Sequence, residues 1–517
     1  MECRSFWEWA QQDPKRLALV TVEGEEFTFG EMGARVNQLS HGLLAKGLKR
    51  GDMVAVMLPN EPAWLETYFA VHQAGMFMTA INYHLSADEV AYILENSEAK
   101  LFITSRRYAD VSRAACEKAG FPKDFRYVTD GVADGFLLYE LLLEGQSTTP
   151  PEHRESGSLM LYTSGTTGRP KGVRRELTGA DPESMAVLSQ LLASLFDIEA
   201  GKGAHLATGP LYHAAPGQFA VSALHLGQAV VLMDKWTPED TLERIEKYQV
   251  SATHMVPTMF HRLLNLPEDV KKRFDVSSLK NVIHAAAPCP VDTKFKMLDW
   301  WGDVIYEYYA ATEGGGTYVK PQEWRKKPGT VGQPFPGATI KILDDAGNEL
   351  GPHEVGTIYM SSFGGMEFEY YKDPEKTKSA RRGNLFTVGD MGYLDEDGWL
   401  FIADRKSDMI ISGGVNIYPA EIEAVLHEHP KVQDVAVLGV PDPEWGESVK
   451  AIVETIPGVA HSDALAEELK QFVYDRIAHY KCPRSVEFVE ALPRTPAGKL
   501  LKRVLRDQYW QGKERKI

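Results

Sequence analysis

Leu159-Met160-Leu161-Tyr162-Thr163-Ser164-Gly165-Thr166-Thr167-Gly168-Arg169-Pro170-Lys171-Gly172 starts as an apolar run and passes into glycines, hydroxyls and one lysine. The apolar run reads as a buried strand. In the loop that follows, glycines let backbone N–H groups approach phosphate oxygens, hydroxyls donate further bonds, and the lysine adds a point charge. Pro170 stiffens the exit. The spacing departs from the P-loop pattern, in which Gly-Lys-Ser/Thr follows four intervening residues. A tract of the same composition without this order would be a flexible surface loop. The ordered string reads as a phosphate-binding loop of another kind.

Working outward, short apolar runs alternate with helical signals. Val54 to Leu58 and Leu101 to Thr104 have the continuous character of buried strands. Between them, Ser86-Ala87-Asp88-Glu89 has capping-box spacing, with Val90, Ala91, Ile93 and Leu94 on one helical face. Thr237-Pro238-Glu239-Asp240 reads as another helix start. Alternating strands and helices predict an α/β fold of largely parallel, helix-covered sheets. Between Pro328 and Gly398 glycines, prolines and short strands such as Ala338 to Leu343 take over, which predicts a β-rich subdomain at about 328–398. The charged run Asp404-Arg405-Lys406-Ser407-Asp408 is the candidate linker. It divides an N-terminal domain, 1–404, from a small α+β domain, 405–517. The latter is expected to hold a helix from Pro419, strands Asp434 to Val440 and Val449 to Thr455, a helix near Ala464 to Ile477, and Val486 to Val489.

At 517 residues the chain exceeds one compact core. Its formal net charge of -16 disfavours binding of nucleic acid or an anionic membrane through bulk charge, while leaving room for a local basic nucleotide site. Cys3, Cys116, Cys289 and Cys482 form no C-x-x-C pair, which fits free thiols in a reducing cytoplasm. The N-terminus has no apolar signal core. From Gly203 to Met233 there is no Asp, Glu, Lys or Arg, but Pro210, Pro216, His213, Gln218, His225 and Gln228 interrupt the stretch. It reads as buried strand and helix around a pocket rather than a membrane span.

Further motifs follow in order: Ala285-Ala286-Ala287-Pro288 after a strand at Asn281 to His284, then Tyr309-Ala310-Ala311-Thr312-Glu313, Thr387-Val388-Gly389-Asp390 and Asp404-Arg405. Ser412-Gly413-Gly414 and Pro493-Arg494-Thr495-Pro496-Ala497-Gly498-Lys499 complete the set. Together with the phosphate loop they resemble the motifs of the adenylate-forming superfamily, which includes acyl-CoA synthetases, peptide-synthetase adenylation domains and luciferases. The resemblance runs from Phe27-Thr28-Phe29 to Arg503. Residues Asn82 to Glu89 and Glu307 to Gly316 look most like fatty-acid and steroid-side-chain CoA ligases.

The resemblance implies roles residue by residue. Thr163, Ser164, Gly165, Thr166, Thr167, Gly168 and Lys171 would bind the phosphates of ATP, and Thr312 the α-phosphate. Glu313, with Thr163, would hold Mg²⁺, since hard cations take oxygen ligands. Ala286, Ala287 and Pro288 resemble the adenine-binding segment; Ala285 stands where glycine is common, tolerable unless that backbone needs a positive φ. Tyr308 and Tyr309 are candidates to flank the purine. Asp390 would accept from the ribose hydroxyls with Arg405 beside it. Lys499, on a mobile C-terminal domain, would bridge the α-phosphate and acyl oxygens as charge develops. His213, ending Pro210-Leu211-Tyr212-His213, would line the acyl site, with a core histidine the alternative. Ser412, Gly413 and Gly414 would wall the coenzyme A channel, unless Gly413 simply serves a turn, and Ser407 would be the hinge.

Taken alone, a Thr-Glu pair is solvated surface, Gly-Asp a turn, and a lysine near the terminus exposed. The order of the motifs is what raises them. The expected reaction is ATP-dependent activation of a carboxylic acid as acyl-AMP, followed by transfer to coenzyme A, in an acid–thiol ligase. The alternative is transfer to a carrier protein's pantetheine. Only 18 residues follow Lys499, so no carrier domain is expected there. The absence of an acid between Lys202 and Asp234 argues against an amino-acid substrate, whose ammonium would need one. Ala214, Ala215, Gly217, Ala220, Ser222 and Ala223 leave space for a long or bulky acyl group, or permit close helix packing. A homodimer is left open.

Overall fold

The computed structural model describes residues 5–163, 170–362, 365, 367–494 and 500–511. They form two compact units. One comprises Met1–Met255, Leu266–Ile283 and Met366–Ser379; the other comprises Val256–Asn265, His284–Gly365 and Ala380–Ile517.

In the first unit, parallel strands Met53–Met57, Phe77–Ala80, Leu101–Ser105 and Arg126–Thr129 stack side by side. Every residue of these four strands is buried, as expected of a sheet covered on both faces. The covering helix Ala87–Asn96 starts where the capping box predicts. Ser86 caps the Glu89 N–H, and Val90, Ala91, Ile93 and Leu94 are its buried residues. In a second sheet Ala204–Ala207 pairs in parallel with Ala229–Leu232 and Val250–Met255. The uncharged stretch is thus strand, helix Ala214–His225, strand. No helix among the described residues is long and apolar enough to cross a membrane.

In the second unit, Ile305–Ala310 and Gly316–Val319 form an antiparallel hairpin. A β-rich sheet follows, with strands Ile340–Leu343, Gly356–Ser361, Asp390–Leu394 and Leu400–Arg405. The long antiparallel pair Val432–Asp442 and Gly446–Thr455 takes Ser485–Val489 in parallel, and helices Pro419–His427 and Asp463–Tyr474 cover it. Its core is Ile410, Ile422, Leu426, Val435, Val437, Val453, Leu469 and neighbours. Asp404 and Arg405 belong to a strand, paired with Met391 and Asp390, so the turn is narrower than the charged run suggests: Lys406 to Asp408.

Candidate nucleotide and acyl site

Strand Ile305–Ala310 carries Tyr308 and Tyr309 into a tight turn. Gly316 there has φ +157°, and a Cβ on it would collide with the Tyr309 carbonyl. Glu313, in that turn, is buried. Tyr309 donates its hydroxyl to Asp390 Oδ2 at 2.7 Å, and Arg405 Nε lies 3.2 Å from Oδ1. Asp390 and Arg405 are cross-strand partners, so the sheet register fixes their pairing. Gly389, with φ +86°, donates to Thr387 Oγ1, which turns the chain so that Asp390 begins the strand. Burial, and then the Asp390 carboxylate, hold the Tyr309 phenol well above its ordinary range, so it remains a donor.

One expectation changes here, and one is borne out. Tyr308 and Tyr309 are consecutive residues of one strand, opposite Tyr318 and Thr317, so their side chains leave opposite faces and cannot both flank one purine. In the segment after strand Asn281–His284, the left-handed residue is Ala286, φ +73°, while Ala285 is buried and needs no positive φ. Ala287 and Pro288 continue it into helix Val291–Trp301.

Glu313 offers a single buried carboxylate, and no group of three His, Cys, Asp or Glu that could hold a metal occurs among the described residues. That donor set fits Mg²⁺ in the manner of one carboxylate plus substrate phosphates, not an all-protein cage.

Asp404 is buried, accepting from the Ala420 N–H at the start of helix Pro419–His427 and from Arg405 N–H. Burial raises its carboxyl. The Ser407 carbonyl is held by Arg506 at 2.7 Å. Gly413 and Gly414 form the turn of hairpin Ile410–Ser412 and Val415–Ile417, both at positive φ (+58° and +80°). Gly413 therefore sits in a turn, and a second constraint acts on it. Gly413 donates to the Trp445 carbonyl at 2.8 Å, and a Cβ there would lie 2.6 Å from the indole.

In the first unit, Thr163 and Lys171 face each other across an antiparallel pair, Leu161–Thr163 with Lys171–Arg174. Residues 164–169, and with them Ser164, Gly165, Thr166, Thr167 and Gly168, lie outside the described residues; so does Lys499. Lys171 Nζ sits 3.1 Å from Asp373 Oδ2. His213 stands at the N-cap position of helix Ala214–His225 without a side-chain capping bond, with Tyr212 beside it at 4.4 Å between ring centroids. Gly217 packs so closely that a Cβ would meet the Trp64 ring at 3.0 Å, and Ala220 and Ala223 are buried. For Gly217, close packing is the explanation for small size.

Sequence reasoning missed Asn60, which donates to the carbonyls of Gly209 and Met233 and accepts from Leu211 N–H, bracing the turn into His213. It also missed Trp445, whose place beside Gly413 no local sequence pattern announces.

Residues 6–370 match the family "AMP-binding enzyme", and residues 421–499 match "AMP-binding enzyme C-terminal domain". The chain is 34% identical to a feruloyl-CoA synthase of Amycolatopsis sp over 97% of both chains. It is 32% identical to a long-chain-fatty-acid–CoA ligase of Bacillus subtilis, covering 96% of this chain and 93% of that one. Its fold matches o-succinylbenzoate CoA synthetase from Bacillus subtilis, solved with the acyl-adenylate OSB-AMP, at a TM-score of 0.81 and 27% identity, covering 97% and 98% of the two chains.

Proposed function

Because the chain belongs to the AMP-binding enzymes of the adenylate-forming superfamily, we propose that its site activates a hydrophobic carboxylic acid, long-chain or bulky, of fatty or steroid type. The enzyme is an AMP-forming acid–thiol ligase, using ATP, Mg²⁺ and coenzyme A. The acid's carboxylate oxygen attacks the α-phosphorus of ATP, forming acyl-AMP and expelling pyrophosphate. The thiol sulfur of coenzyme A then attacks the acyl carbon, the thiol proton is lost, and AMP leaves.

In our reading Asp390 accepts both ribose hydroxyls, held in place by the Tyr309 hydroxyl and Arg405. Ala286, Ala287 and Pro288 lie along adenine, while Thr312, Thr163 and Lys171 bind phosphate. Glu313 and Thr163 would hold Mg²⁺, which would supply positive charge beside the phosphates. Lys499 stabilises charge at the α-phosphate from a C-terminal domain, 405–517, that turns about Ser407 on the N-terminal domain, 1–404. Ser412, Gly413 and Gly414 line the pantetheine path, and His213 faces the acyl group. Among the described residues Cys116, Cys289 and Cys482 are free of disulfides, which fits the cytoplasmic setting proposed with it; a homodimer belongs to the same proposal.

The observation that carries the reading is the Tyr309–Asp390–Arg405 cluster, two charged groups and a donor converging beside the buried Glu313 turn. For the acid, the support is the uncharged stretch 203–233, which offers no counter-charge to an amino group. A panel of acids in a coupled AMP assay tests it. Fatty or steroid-side-chain acids are expected to exceed acetate in kcat/KM by at least about 10³-fold, since three methylenes in an apolar pocket at roughly tenfold each already supply that. A preference for acetate or for a hydroxycinnamic acid would overturn the substrate proposal.

A further inference from the structure

Glu307 lies on strand Ile305–Ala310 and is buried, two residues before Tyr309 and on the same face of the strand. Its Oε2 receives Lys294 Nζ at 2.5 Å and stands 3.4 Å from His284 Nε2. All three side chains are within the interior, and Lys294 Nζ also lies 4.4 Å from the centre of the Trp324 ring. Burying charges is costly, and such a pair is often no more stabilising than well-packed apolar residues. A buried ion pair therefore needs a reason other than stability, and its position supplies one.

His284 is the last residue of its strand, and Lys294 lies in the first turn of helix Val291–Trp301, its N–H bonded to the Pro290 carbonyl. Between them runs the connection 285–290, which includes Ala286 in the left-handed region at φ +73°. An alanine there persists only where the surroundings over-determine it. Both flanks of the connection meet one carboxylate, Lys294 through a hydrogen-bonded ion pair and His284 through a 3.4 Å contact, and that carboxylate belongs to the strand that aims Tyr309 at Asp390. Burial pushes the Glu307 carboxyl up, but Lys294 and, after it, His284 outweigh this and hold it at about 2; burial also lowers the His284 imidazole, so the ionic tie is the one to Lys294.

We propose that Glu307 is a positioning residue for the nucleotide, pinning both ends of the strained connection at Ala286 against the strand of Tyr309. The inference rests on the adenylation reading above. Glu307→Gln should raise the Michaelis constant for ATP at least tenfold while leaving those for the acid and coenzyme A within about twofold. Adding Ala286→Gly should recover most of the loss, because glycine takes φ +73° without being forced. A general loss of structure would not be rescued in this way. Should Glu307→Gln fail to fold, Lys294→Met with Glu307→Leu removes both charges at similar volume and carries the same test. Calorimetry with AMP reads the site without turnover. Wild-type protein that does not bind AMP overturns the adenylation reading itself. Wild-type protein that binds AMP while a folded Glu307→Gln binds it equally well, or losses in all three Michaelis constants that Ala286→Gly does not reverse, overturns the role of Glu307.

Discussion

Tyr309→Phe removes one oxygen atom and leaves the ring in place. That oxygen donates to Asp390 Oδ2 at 2.7 Å, and the Asp390 side chain is only 9% exposed. A hydrogen bond to a buried carboxylate contributes roughly 1.5–3 kcal/mol. Arg405, on the other carboxylate oxygen at 3.2 Å, is 41% exposed, so solvent screens it and it cannot replace the lost donor. If the full term is felt where ribose binds, the Michaelis constant for ATP rises by about 10–150-fold, since 1.4 kcal/mol is tenfold. Pyrophosphate release against ATP at saturating acid reads this number, and urea unfolding reads the stability term. In an Asp390→Asn background the same substitution should cost much less, because the charge it served is gone. The raised phenol adds a pH signature. Below about pH 10, where an unfolded tyrosine begins to lose its proton, the contribution is complete; it is lost as pH rises toward the higher folded value. Wild-type ATP affinity together with wild-type stability in Tyr309→Phe would refute the reasoning.

Other substitutions probe the remaining parts. Glu313→Gln should impair ATP turnover and weaken its Mg²⁺ dependence with the fold intact, read by activity across a Mg²⁺ titration and by circular dichroism. Ser407→Pro, by fixing φ at the turn that follows strand Leu400–Arg405, should block one half-reaction and spare the other; equal retention of both would place the pivot elsewhere. Gly413→Leu forces a side chain into φ +58° and against Trp445. It should lower stability by about 1–2 kcal/mol and, beyond that, still form acyl-AMP and pyrophosphate while failing at the thioester. Loss of stability alone, with normal thioester formation, would leave Gly413 only its turn.

What could be read in advance follows the range of the interactions. The capping box at Ser86 and Glu89, the Thr237 cap before Pro238, and the strand Asn281–His284 are set within a few residues, and the structure places them as expected. Apolar runs such as Leu101 to Thr104 gave buried strands because a two-sided sheet tolerates no polar alternation. The Tyr309–Asp390 bond joins residues 81 apart in sequence, and no local pattern announces it. Lys294 and Glu307 look like ordinary surface charges until helix and strand bring them together in the interior. Positive φ at Ala286 rather than Ala285 depends on how one connection is held at both ends. Likewise, the small size of Gly217 is explained only once the fold sets Trp64 opposite it.

The order of the chemistry is the central claim, and a single-turnover quench tests it most directly. Enzyme in excess over ATP is mixed with Mg²⁺ and an accepted acid, first without and then with coenzyme A, and products are separated after acid quench. The expected result is acyl-AMP and pyrophosphate in equal amounts before coenzyme A is added, then conversion of that acyl-AMP to thioester and AMP afterwards. Appearance of ADP and phosphate, or thioester formed with no acyl-AMP ever preceding it, would contradict the account.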